Sequence, residues 1–301
     1  MSDRWKVRPE GSTWGDWGAD DQLGRVNLIT PQKVLEGVAE VKEGISFCLS
    51  LPLNYPGGAF LSPARGPYTL RPTETPDGTK RYLYPTCLDD PHFTDVVNDD
   101  RVDMVLQYST QWDTFAHVGS VFDADDDGEP EIRFYNGYRG HEDIKGPVRY
   151  NLDRSVEDTG EQTGARKLGI ENMAVKGMQG RGVLVDLERH FGQERRYVGY
   201  DDWMRALDAT KVEVTPGDML LIYTGFADYI MEAEGDPDPQ KLHNSYELCL
   251  FKLGVNIGEL WYLSELAKWL RENNRTRFLL TAPPLRLTGA VGSPASPVAT
   301  V

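Results

Sequence analysis

The chain has 301 residues, 40% hydrophobic and 26% charged, which is ample for a buried core and argues against general disorder. Lys and Arg total 32 against 47 Asp and Glu, a net charge of −15, so nucleic acid and anionic membrane surfaces would be repelled and neither is expected as a partner. No run of about twenty apolar residues is present, and "MSDRWKVRPEGSTWGDWG" at the start has no signal-type apolar core, so a cytoplasmic protein is expected.

Along the chain, "TPQKVLEGVAEV" predicts a helix with Thr30 as N-cap, Pro31 at the first helical position, and Val34, Val38 and Val41 on one face. "ISFCLSLPL" alternates Ile45, Phe47, Leu49 and Leu51 toward one side, as a half-buried strand does. Compact apolar runs at "MVLQY", "GVLVDL" (182–187) and "DMLLIYTG" (218–225) read as buried strands. "DADDDGEPE" (123–131) and "EAEGDPDPQ" (232–240) read as solvated loops. "GMQGRG" (177–182) precedes a strand instead of following one, so it reads as a tight turn and not a phosphate loop. "ELWYLSELAKWLREN" places Leu260, Leu263, Leu266, Ala267 and Leu270 on one helical stripe, and "RFLLTA" (277–282) supplies a last strand. The expected fold class is α/β, a mixed β-sheet core with flanking helices in a single domain over 1–301. No GxSxG elbow or GxGxxG occurs, and Cys48, Cys87 and Cys249 are widely spaced with no CxxC, so they are expected to be reduced.

Polar side chains are densest in "QYSTQWDTFAH", residues 107–117. In an extended chain Gln107, Ser109, Gln111 and Asp113 point one way, and Tyr108, Thr110 and Trp112 the other. A helical turn from Asp113 would set His117 above the aspartate. A carboxylate beside an imidazole suits acid/base work, and oxygen-bearing side chains at alternate positions suit a divalent cation, manganese or magnesium tolerating amide oxygens better than zinc. Hydrogen bonding of a buried strand end is the alternative for each residue alone. His92, His141 and His190 read as surface or helix-end residues, and Trp14, Trp17 and Trp112 as core or pocket wall.

The segment resembles the signature of the putative cyclase family of metal-dependent hydrolases, H-x-G-T-H-x-D-x-P-x-H, which includes bacterial kynurenine formamidases and isatin hydrolases. Placed on that motif, the first two histidines fall on Gln107 and Gln111, the aspartate on Asp113 and the last histidine on His117; a longer subgroup has glutamines at the first two positions. "WGADDQLGRVNLITPQKV" (17–34), "FYNGY" (134–138), "LGIENMAVKGMQGRGVLVDL" (168–187), "TPGDMLLIYTG" (215–225) and "TAPPLRLTGAVGSPASPVA" (281–299) resemble further segments of that subgroup, in order.

The resemblance implies a cyclase-like fold of the swivelling β/β/α type, with residues 1–30 as an N-terminal extension packed on it. It implies His117 and Asp113 as catalytic residues and Gln107, Thr110 and Trp112 around the substrate or oxyanion. Gln107, Gln111, Asp113 and Glu259 of "GVNIGE" are the candidate ligands of one divalent cation, Mn or Zn, with a metal-free site as the alternative. The implied reaction is water attack on the carbonyl of a small aromatic or cyclic amide, formamide or lactone. A non-catalytic homologue or short isoform acting as a binding module is the rival reading. Family members carry a further helix, strand and histidine that are missing around Tyr246–Glu247; His243 is not evidently equivalent. An absent strand predicts a poorly covered edge around 226–250, and with it a homodimer as the assembly to test.

Overall fold

In the computed structural model, residues 4–59, 62–192, 198–238 and 252–301 are described. His243, Cys249 and the Tyr246–Glu247 junction lie outside them. The elements that position the site are β1 Ser46–Cys48, β2 Gln111–Asp113, β3 Gln179–Asp186, β4 Met219–Tyr223, β5 Ile257–Glu259, β6 Arg277–Thr281, β7 Gly292–Pro294 and β8 Val298–Thr300. The helices are α1 Pro31–Val38, α2 Glu171–Lys176, α3 Leu187–Phe191, α4 Tyr200–Thr210, α5 Phe226–Glu232 and α6 Ser264–Glu272.

The main sheet is mixed, in the order β1-β8-β6-β3-β4, with only β3 and β4 parallel. β3 is buried from Gly180 to Asp186, as its apolar run requires. Leu184 packs with Phe278, Leu280 and the α6 residues Leu266, Ala267 and Leu270, while Val183 and Val185 pack with Ala206 of α4. α6 begins at Ser264, because Glu259 closes β5 and Leu260 takes a positive φ of 54°; the expected stripe is therefore split between loop and helix. Short two-stranded hairpins, such as Thr69–Pro72 with Asp100–Asp103, decorate the sheet. "MVLQY", predicted as a strand, is an irregular turn leading into β2.

Thr30 caps α1 by accepting from Lys33 N, with Pro31 following as expected. The buried face differs from the valine stripe, however. Lys33 and Gly37 are buried while Val38 is exposed. A Cβ on Gly37 would stand 2.7 Å from the Gly180 carbonyl, so α1 crosses β3 backbone to backbone. Lys33 Nζ reaches Thr215 and Asp218 at 2.9 and 3.2 Å, and Arg181 also pairs with Asp218, at 2.8 Å. A hydrogen-bonded buried charge network takes the place of an apolar seam there.

The N-terminal segment is fastened through "FYNGY". Asn136 is fully buried at φ 59°, a left-handed conformation that asparagine tolerates. Its Nδ2 donates to the carbonyls of Gly18, Ala19 and Asp21 at 3.0–3.1 Å, and its Oδ1 accepts from Gly15 N at 2.8 Å. Asn136→Ala is expected to destabilise the fold by about 2 kcal/mol, since it removes buried hydrogen bonds and keeps the strained φ. Urea denaturation checks this.

The uncovered edge is β4 itself. Among the described residues it pairs only with β3, and Leu220 and Ile222 are 41% and 49% exposed. An apolar groove of about 570 Å³ runs along it, bordered by Trp112, Met178, Leu221, Tyr223 and Trp261. Among the described residues the open edge therefore lies at 219–223. Residues 226–232 instead form α5, whose Ala227 and Ile230 pack on Leu51; residues 239–250 lie outside the described part. No helix among the described residues is long and apolar enough to cross a membrane.

Candidate active site

A second, three-stranded antiparallel sheet, β5-β2-β7, carries the polar cluster. On its central strand Gln111 lies opposite Glu259 and Pro294, and Asp113 opposite Ile257 and Gly292. Directly opposed residues and alternate residues share a face. Gln111, Asp113 and Glu259 therefore meet. Gln111 Nε2 donates to both oxygens of Asp113 at 3.1 and 3.2 Å and to Glu259 Oε2 at 3.3 Å. One amide thus stands between two carboxylates, and Gln111 Oε1 is buried with no hydrogen-bond partner.

Gln107 reaches the same place from the turn before β2, and Gly292 makes the room. A Cβ on Gly292 would stand 2.5 Å from Gln107 Nε2, 2.9 Å from the Trp112 carbonyl and 3.2 Å from Asp113 Oδ1. Gln107 Nε2 is itself buried without a partner, an amide donor available beside the Asp113 carboxylate.

His117 departs from the expected helical stacking. After β2 the chain makes a β-turn, with His117 N donating to the Thr114 carbonyl at 3.0 Å. Without a helix the i to i+4 relation never forms, and among the described residues no hydrogen bond joins Asp113 to His117. Burial first, then the positive charge of Arg65, lowers the His117 pKa below the usual imidazole value, so the ring is neutral at pH 7. Burial pushes Asp113 up to about 6, against the opposing effects of the Gln111 hydrogen bond and Arg65.

Arg65 is the site residue that sequence reasoning missed. Its Nη1 donates to the Gln107 carbonyl at 3.0 Å across a separation of 42 residues, and nothing in "SPARGPY" announces that long-range contact. Thr110 and Trp112 lie on the face that alternation predicts, and away from the substrate or oxyanion where the resemblance puts them. The Thr110 hydroxyl, fully buried, accepts from Leu51 N at 2.9 Å and donates to the Leu260 carbonyl at 2.5 Å, so both of its roles are filled by backbone. Trp112 faces the opposite side, donating to the Ala282 carbonyl at 2.8 Å and packing edge-on against Trp261; it walls the apolar groove. His92 and His190 are exposed and His141 is half-buried in a turn.

A family model described as "Putative cyclase" matches residues 48–281, well over half of the chain. The chain belongs to the putative cyclase family. Its fold is that of a solved novel cyclase, which matches with a TM-score of 0.72 over 96% of this chain and 99% of that one, at 29% identity. Isatin hydrolase A from Labrenzia aggregata, solved with benzyl benzoate, matches at a TM-score of 0.49 and 10% identity over 89% of this chain and 97% of its own. A predicted metal-dependent hydrolase from Bacillus stearothermophilus matches at 0.45 and 13% over 86% and 98%. No curated protein matches.

In this cyclase-family chain the donor set as folded does not fit a cation. An N–H donor, Gln111 Nε2, occupies the place between the two carboxylates. No group of three His, Cys, Asp or Glu side chains among the described residues is arranged to hold a metal ion. A cation there would require the amide reversed, with Oε1 turned toward Asp113 and Glu259.

The raised Asp113 pKa also sets a pH dependence. An acid whose folded pKa exceeds its unfolded value of 3.8 contributes stability that is fully present below that value and lost as pH rises through about 6. Asp113→Asn is therefore expected to be more stable than the parent at pH 7.5, by an amount on the order of 2–3 kcal/mol that shrinks as the pH falls toward 4. Urea midpoints at pH 5 and 7.5 check the sign.

Proposed function

We propose that this cyclase-family chain is a hydrolase opening a carbonyl–nitrogen or carbonyl–oxygen bond in a small aromatic or cyclic substrate, such as an aryl formamide, cyclic amide or lactone. His117 takes a proton from water while Asp113 accepts a hydrogen bond from the same water. The resulting hydroxide attacks the carbonyl carbon. Gln107 Nε2 donates to the oxyanion that forms, and the imidazolium returns its proton to the departing nitrogen or oxygen. Gln111 holds Asp113 and Glu259 in register beneath.

What supports this reading is that a half-buried imidazole, a buried carboxylate and an amide donor with no partner all belong to the segment around β2, with the charge of Arg65 acting on both Asp113 and His117. With Gln111 donating to both carboxylates, activation of water rests on His117 in place of a cation. The test is a turnover screen of aryl formamides, cyclic amides and lactones with the purified chain and with His117→Ala. Turnover lost in the variant supports the proposal; an unchanged rate overturns it. Binding of these compounds without turnover by the parent chain would favour the binding-module reading.

A further inference from the structure

Arg65 sits against the site segment but is not part of the chemistry above. Its Nη1 holds the Gln107 carbonyl at 3.0 Å, on the residue whose amide donor points beside Asp113. Its charge is felt by both Asp113 and His117. It is half-buried, and among the described residues it pairs with no carboxylate. In a chain of net charge −15 a partly desolvated guanidinium of this kind presents free donors in a planar fork. That fork stands beside Gln107, at the segment that carries the site. Such a fork matches a planar anion.

We propose that Arg65 recognises a carboxylate on the substrate, so that the preferred substrates are amides, formamides or cyclic esters bearing an anionic group near the scissile carbonyl. The overall negative field would repel such molecules, and Arg65 supplies the local attraction that overcomes it. This inference rests on the hydrolase reading only for where the substrate sits.

The experiment is calorimetric titration of 2-formamidobenzoate and formanilide, which differ by the carboxylate, into the parent chain, Arg65→Gln and Arg65→Lys. Turnover is recorded in parallel. The carboxylate compound is expected to bind the parent about tenfold or more tightly than formanilide. That preference should vanish in Arg65→Gln and persist in part in Arg65→Lys, which keeps the charge without the fork. Comparing two compounds within each variant cancels any general loosening of the loop. Equal binding of the two compounds by the parent, binding of neither, or a preference that survives Arg65→Gln overturns the inference. A preference that depends on Arg65 without any turnover upholds it while refuting the hydrolase reading.

Discussion

Replacing His117 with alanine is expected to lower kcat/KM on any hydrolysed amide or lactone by about 10²–10⁴-fold, the usual contribution of a positioned acid/base group. Because the imidazole is half-buried at a turn and, among the described residues, makes no hydrogen bond to Asp113, its loss should leave the fold intact, with a parent-like unfolding curve. The pH profile gives a second readout. The depressed His117 pKa predicts that activity rises with pH through a midpoint below the ordinary imidazole value and then stays level through neutrality. In His117→Ala the residual rate should keep only the inflection of Asp113, at about 6. Steady-state rates across pH 4.5–8.5 measure both effects.

Gly292→Ala is the second change expected to act strongly. The added methyl would meet the Trp112 carbonyl at 2.9 Å, and that carbonyl belongs to the central strand of the site sheet, so it cannot move aside alone. The flexible partner, Gln107 Nε2 at 2.5 Å, must leave instead, taking the oxyanion donor away from Asp113. A displacement of about 1 Å at a reacting centre can cost on the order of 10²-fold in rate, and overpacking a close contact costs about 1–3 kcal/mol. Activity is expected to fall about a hundredfold with a smaller loss of stability. Gln107→Ala should show the same rate loss without the destabilisation; comparing kcat and urea midpoints for the two variants separates displacement of the donor from general damage.

The site was legible where it rests on period-two alternation. Gln111 and Asp113 share a face because β2 is extended, and Glu259 joins them because antiparallel register places it directly opposite Gln111. The sequence contains both segments but not that register, so only the family resemblance brought Glu259 in. The stacking of His117 on Asp113 depended on a helix, and the β-turn at Thr114–His117 removed it. Alternation put Thr110 and Trp112 on the other face correctly, but the substrate role that the resemblance implies does not follow: the Thr110 hydroxyl turns to the backbone of Leu51 and Leu260, and Trp112 bonds the Ala282 carbonyl. Arg65 and Gly292 act through contacts separated by tens to hundreds of residues, which no local pattern encodes.

In the fold, apolar runs identified β3, β4 and β6 correctly. A run of alternating exposure at an edge, as in β4, has the same composition as a buried strand, so its open side appeared only in three dimensions. α1 shows the reverse case. Its valines suggested a buried stripe, yet the close approach of Gly37 to Gly180 and the hydrogen-bonded Lys33 decided which face is inside.

Metal dependence tests the central claim most directly. Metal content should be measured on the purified chain by mass spectrometry, and hydrolysis of the best substrate followed before and after exhaustive chelation, in the parent and in His117→Ala. Turnover that survives chelation in the parent and disappears in His117→Ala is the result expected of a water activated by His117 above a Gln111-bridged pair of carboxylates. A stoichiometric divalent cation whose removal abolishes turnover, with activity restored by adding it back, would contradict that arrangement.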